Sequence, residues 1–182
     1  MANKSKYGKY FQSGNPPAWA SIGHAGPTVC YLDDRLIKGC FSCNAAMIMC
    51  TPPPETVAKV NTDWGGISHG PHEHPYAEII MHVGTNPDDP YDLGAEVELC
   101  MGPEMESHII TKSTITFIPA HFIHGPWTVI RVDRPFIQVV MDQGPLHGEK
   151  SHPEIVPDKD KIRMSFIDEE LGGKKTTRRL DK

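Results

Sequence analysis

The segment GPHEHPYAEIIMHVG, residues 70–84, decides how the chain is read. His72 and His74 stand two apart, so in an extended chain both imidazoles point to one side of a sheet. Two neutral imidazoles converging on a point are what a borderline divalent cation requires. Glu78 has the same parity, but in a straight strand it would lie roughly 13 Å beyond His74 at about 3.3 Å per residue. Sharing one ion therefore requires a bend or bulge around Pro75 to Ala77. Pro75, which has no N–H to give to a ladder, is placed to mark one.

A further ligand must come from elsewhere, and FIPAHFIHGPW at 117–127 offers His121 and His124. Their spacing of three cannot put both on one side of a regular strand, so one is the ligand and the other a pocket or rim residue. His124 is the first choice and His121 the second. The chain has ten histidines, and isolated ones are ordinarily surface or hydrogen-bonded core groups. That is the reading given to His24, His69, His108, His147 and His152, and the first reading of His82. A His-x-His pair beside a glutamate of the same parity is a much rarer pattern.

These residues carry a resemblance. Gly66, His72, His74, Glu78 and Gly84 follow G-x5-H-x-H-x3-E-x5-G, which is similar to the first motif of the cupin superfamily, and Pro119 to His124 resembles the second. The second motif usually has a glycine where this chain has His121 and often an asparagine where it has Thr128. The resemblance spans about 60 residues, from Gly66 to Pro126. It implies a jelly-roll barrel of about six to eight strands, with one divalent ion inside held by His72, His74, Glu78 and His124. The departure at His121 suggests that this residue lies near the cavity.

Outward from these motifs, short β-prone runs alternate with turn formers, the pattern of an all-β sandwich or barrel. The runs fall near 28–32, 41–50, 56–61, 76–83, 95–101, 106–111, 113–118, 127–132 and 135–141. NPDDPYDLG at 86–94 reads as an exposed loop. ITKST at 110–114 reads as a hairpin centred on Lys112. Helix is scarce: a short turn after Asp33, and MSFIDEELGG at 164–173 as a terminal helix or extended arm closed by Gly172 and Gly173. Pro52 to Pro54 form a stiff connector. The expected organisation is an irregular N-terminal arm over 1–27, one cupin-like β-barrel domain over 28–160 and a C-terminal extension over 161–182.

With 18 Lys plus Arg against 23 Asp plus Glu, the formal net charge is -5, and no basic run occupies the body of the chain. Nucleic acid is therefore not the expected partner. Lys174, Lys175, Arg178, Arg179 and Lys182 read as a solvated tail. No stretch reaches the roughly 20 apolar residues of a membrane helix, and the N-terminus lacks the apolar core of a secretory signal, so a cytoplasmic location is expected. The cysteines, Cys30, Cys40, Cys43, Cys50 and Cys100, are odd in number and do not suggest a disulfide scaffold. Cys40 and Cys43 make a single C-x-x-C pair, read first as structural thiols, then as a metal or redox pair.

Three histidines and a carboxylate leave one or two positions open on an ion of five or six ligands, which a bidentate oxygen ligand or water can take. Iron would permit dioxygenase chemistry; manganese, zinc or nickel would favour Lewis-acid isomerisation or decarboxylation. The first expectation is an enzyme acting on a small oxygenated organic acid, with His82, His121, Tyr76 and Glu98 as candidate catalytic residues. Glu98 qualifies only if its strand turns that face inward, since Val97, Leu99 and Met101 form the apolar set that is normally buried. A small-molecule-binding module with the same ion is the first rival. A protein whose ion merely ties strands together is the second. A homodimer is expected, with the aromatic arm around Tyr7, Tyr10, Phe11 and Trp19 offering surface for pairing.

Overall fold

The computed structural model describes residues 6–13, 16–17, 27–49, 68–161 and 164–178. The strand expected at 56–61, the Pro52 to Pro54 connector and Trp19 lie outside them. The described strands are β1 (Thr28–Leu32), β2 (Cys43–Ile48), β3 (Ser68–His69), β4 (His72–Glu73), β5 (Glu78–Val83), β6 (Asp92–Met101) and β7 (Glu106–Lys112). They continue as β8 (Thr114–Ile118), β9 (His124–Val132), β10 (Phe136–Asp142), β11 (Lys150–Ser151), β12 (Met164–Glu169) and β13 (Lys175–Arg178). The one described α-helix is α1, Asp158–Lys161, and no described helix is long and apolar enough to cross a membrane.

Strict alternation explains how one sheet acquires an inner face. In β2, β5 and β10 every second residue is buried, placing Asn44, Ala46 and Ile48 beside Glu78, Ile80 and His82, and beside Phe136, Gln138, Val140 and Asp142. These strands lie in a five-stranded sheet of order β1-β2-β10-β5-β8. A second sheet, with β9 paired to β6 on one edge and to β3 and β4 on the other, closes over it. Ile48, Leu93, Val97, Leu99, Ile118, Trp127 and Phe136 fill the space between. The result is the expected all-β barrel of two facing sheets, antiparallel except where β12 joins β3. Its core is graded: β10 runs from buried Phe136 at one end of the interior to buried Asp142 at the other.

Two local expectations change. Residues 110–114 do not close a hairpin, because β7 pairs with β6 in one sheet and β8 with β5 in the other. Ser113 is the single residue over which the chain changes sheets. Its Oγ donates to the Pro90 carbonyl at 2.8 Å and accepts from the Gly84 N–H at 3.0 Å, which fastens the crossing. At the C-terminus the extended alternative forms rather than the helix. Met164–Glu169 runs parallel to β3, and Lys175–Arg178 folds back on it as an exposed edge strand.

The terminal strand β12 is tied to the motif segment. The Gly70 N–H donates to the Ser165 carbonyl at 2.8 Å, and the buried Phe166 ring packs so closely on Gly70 that a Cβ there would meet it at 2.6 Å. Replacing Phe166 with Ala is expected to cost about 3–5 kcal/mol in urea unfolding. A loss below about 1 kcal/mol would show that β12 is peripheral to the barrel.

Candidate metal centre

The bend required by the sequence is present. Residues 75 and 76 are bent between β4 and β5, and the chain returns Glu78 to His74, with Oε1 3.4 Å from Nε2. Pairing of β4 with β9 sets His72 directly beside His124. Glu78 Oε2 lies 3.1 Å from His124 Nε2. The ring nitrogens offered by His72, His74 and His124 lie within 4.8 Å of one another, and all three residues are buried.

The other nitrogen of each ring fixes the tautomer. Nδ1 of His72 donates to the Gly70 carbonyl at 2.8 Å, that of His74 to the Gly148 carbonyl at 2.7 Å, and that of His124 to the Phe122 carbonyl at 3.2 Å. With the proton on Nδ1, each Nε2 is a bare acceptor. Burial drives His72 well below the ordinary imidazole range and lowers His74, so both rings are neutral. For Glu78, burial raises the carboxyl, and positive charge on the side of His74, His124 and His147 outweighs it and holds it low, so the carboxylate needs a cation beside it. Glu78 Oε2 and His74 Nε2 have no hydrogen-bond partner. Acceptors therefore face acceptors at 3.1 and 3.4 Å, a repulsive arrangement that a cation at their meeting point turns into coordination.

Charge in the surroundings leads to the same conclusion. His147 donates from Nδ1 to Asp142 Oδ2 at 3.0 Å, while its Nε2 faces Glu149 Oε2 at 3.8 Å. Burial disfavours its charged form, but the two carboxylates more than offset this and raise His147 well above its ordinary value. Glu78, Asp142 and Glu149 bring three buried carboxyl groups to this end of the barrel, with His147 beside Asp142 and Glu149 and His69 3.2 Å from Glu149. So many buried oxygens are costly in a low-dielectric interior unless positive charge stands beside them, and a divalent ion supplies it. The residues present fit such an ion, and His72, His74, Glu78 and His124 would hold it.

A cavity of about 60 Å³ adjoins the cluster, walled by Ile80, Leu99, Trp127, Gln138 and Val140, with Lys175 also among its lining residues. None of the four candidate catalytic residues lines it. His82 is fully buried and accepts the Trp127 indole N–H on Nε2 at 2.9 Å; burial pushes it down to about 4. Tyr76 packs its ring against Gly144, where a Cβ would stand 2.0 Å away. Glu98 faces outward and accepts from Ser107 Oγ, because Val97 and Leu99 take the inner face of β6.

His121 is also outside, its side chain 69% exposed. Its φ of 59° is left-handed, so His121 makes the turn for which the motif usually employs glycine, and that turn sends its ring outward. Cys40 and Cys43 join no metal-ligating cluster among the described residues. Burial raises both thiols.

His69, Asp142, His147 and Glu149 were not singled out from the sequence. His69 Nε2 lies 3.2 Å from Glu149 Oε2, its ring stacked on His72 at 4.1 Å. The available signal was His147 and Glu149, two apart like His72 and His74 and therefore of one parity.

No family model matches the chain, and no curated protein does. Among solved structures it is similar to an oxalate decarboxylase, with TM-score 0.45 and 10% identity over 75% of this chain and 31% of that one. It is similar to an oxalate oxidase in complex with glycolate, with TM-score 0.42 and 16% identity over 81% and 67% of the two chains. A cupin-superfamily sugar phosphate isomerase from Silicibacter pomeroyi gives TM-score 0.42 and 14% identity over 83% and 76%. The chain spans about a third of the oxalate decarboxylase's length.

Two substitutions separate the histidines. His72→Ala should abolish most metal retention, read by inductively coupled plasma mass spectrometry; stoichiometric metal in that variant would remove His72 from the ligand set. His121→Gly should keep full metal content and stay within about 1 kcal/mol of the parent, because glycine adopts the same φ freely.

Proposed function

We propose that the protein is a metal-dependent cupin enzyme that acts on a small oxygenated organic acid at a single divalent ion held by His72, His74, Glu78 and His124. The observation that carries this reading is the convergence of three buried imidazoles, His72, His74 and His124, with Glu78, whose Oε2 lies 3.1 Å from His124 Nε2 and Oε1 3.4 Å from His74 Nε2. The ligand set suits iron, manganese, zinc and nickel alike. When bound, such an ion supplies Lewis-acid polarisation of a ligand oxygen or, as iron, oxygen chemistry.

The chain's own groups do the rest. Lys175 stands among the residues lining the cavity, its Nζ 3.7 Å from Glu169 Oε2, and adds positive charge to that side. Ile80, Leu99, Trp127 and Val140 keep the wall dry, which strengthens every charge interaction inside. Glu149 reaches the same cavity with two oxygens that no hydrogen bond occupies, and His147 stands beside it. These two, rather than the four residues picked from the sequence, are the groups positioned to hold and move a proton. The second reading, a ligand-binding module, draws on the contacts of Glu149 with His69 and His147, which would fix that carboxylate as a structural counter-charge.

A homodimer belongs to the same proposal. The outer face of the five-stranded sheet presents Ile79 and Met81, Ile137, Val139 and Met141, with Ile115 and Phe117 exposed on the edge strand β8. An apolar face of that kind marks an interface, and a second copy is the simplest cover. The free thiols of Cys30, Cys40, Cys43 and Cys100 fit a reducing, cytoplasmic setting.

Turnover is tested by oxygen uptake and product analysis of the metal-loaded protein with small hydroxy, keto and dicarboxylic acids. Glu149→Gln should lower turnover by about 10²-fold or more at unchanged metal content. Tight binding with no turnover of any acid would favour the binding module. Light scattering should give twice the chain mass for the parent and the single mass for Phe117→Lys; a monomeric parent would contradict the dimer.

A further inference from the structure

Deeper in the barrel, beneath the charged residues, lies a second polar layer that the ion does not use. Pairing of β5, β10 and β2 sets Gln138 opposite His82 on one side and Ala46 on the other. Val140, one inward step nearer the ion, lies opposite Ile80 and Asn44. Gln138 and Asn44 are 3% and 2% exposed, and Gln138 lines the same cavity as Glu78 and the three histidines.

Several polar atoms in and beside this layer have no partners. Gln138 Oε1 receives no donor, and neither amide atom of Asn44, one level nearer the ion opposite Val140, is hydrogen-bonded. His82 accepts the Trp127 N–H on Nε2, so the neutral ring carries its proton on Nδ1, and that N–H has no acceptor. Buried polar groups are nearly always paired, and leaving several unpaired on one patch of a barrel wall is destabilising unless a bound molecule completes them. Gln138 is the one amide side chain among the residues lining the cavity, and apolar Ile80, Val140 and Leu99 line it as well.

We propose that Gln138 is the specificity-determining residue of the ligand site. It accepts a hydrogen bond from a hydroxyl at the far end of a small acid whose carboxylate lies at the ion. This rests on the small-acid reading above and narrows it to acids with a second, protic oxygen group. Size agrees: the cavity of about 60 Å³ is well above the roughly 10–15 Å³ that a single water needs, so it admits a small molecule.

The test is calorimetric titration of manganese-loaded parent and Gln138→Met with 3-hydroxypropionate and with butyrate, acids of equal non-hydrogen atom count that differ by hydroxyl against methyl. Metal content is measured on the same samples. The parent should prefer the hydroxy acid by about tenfold or more, and Gln138→Met, which conserves volume, should lose that preference with its manganese unchanged. Without acid, Gln138→Met should melt at or above the parent temperature, since it removes an unpartnered amide.

Equal affinity of the parent for both acids would overturn the role of Gln138 and leave the small-acid reading standing, the polar layer then being merely hydrated. Manganese-loaded parent that binds neither acid would overturn both. If Gln138→Met does not fold, or melts well below the parent, the amide is already satisfied within the fold and the proposal fails.

Discussion

The acceptor-to-acceptor contact between Glu78 and the imidazoles of His74 and His124 is the constraint on which the site depends. A protein core excludes such contacts unless something positive lies between them. Here three backbone carbonyls commit the ring protons to Nδ1, so no rearrangement of tautomers relieves the repulsion without breaking a buried hydrogen bond. The carbonyls come from three places, Gly70, Phe122 and Gly148, so the loops at this end of the barrel are shaped by the ligands they orient. Packing of Phe166 on Gly70 extends that dependence to the C-terminal strand.

The barrel turns this constraint into a graded interior. Period-two alternation on β2, β5 and β10 delivers side chains to the inside whatever their polarity, and sequence alone decides what each layer contains. Glu78 and Asp142 form the charged layer, Ile80 and Val140 with Asn44 a mixed one, His82 and Gln138 a second polar one, and Phe136 with Ile48 the sealed end.

Much of this was legible in the sequence where one local rule sufficed. The parity of His72, His74 and Glu78 together with Pro75 required a bend, and the bend is there. The choice between His121 and His124 was legible only as an alternative, because spacing does not reveal that His121 takes a left-handed φ of 59°. Glu149 and His147 were missed because a second parity pair becomes a site only when the fold brings β11 beside β4, a contact between residues far apart in sequence. The same limit explains the 110–114 turn, whose composition signals a reversal but not that its flanking strands belong to different sheets. It also explains 164–173, where MSFIDEE suits helix or strand and only pairing with β3 decides.

X-ray absorption spectroscopy of the protein carrying one equivalent of zinc tests the central claim most directly. The account predicts a first shell of nitrogen and oxygen at about 2.0–2.2 Å, with outer-shell multiple scattering from three imidazoles. Sulfur scatterers at about 2.3 Å, which would place the ion at Cys40 and Cys43, or a spectrum without imidazole scattering, would contradict it.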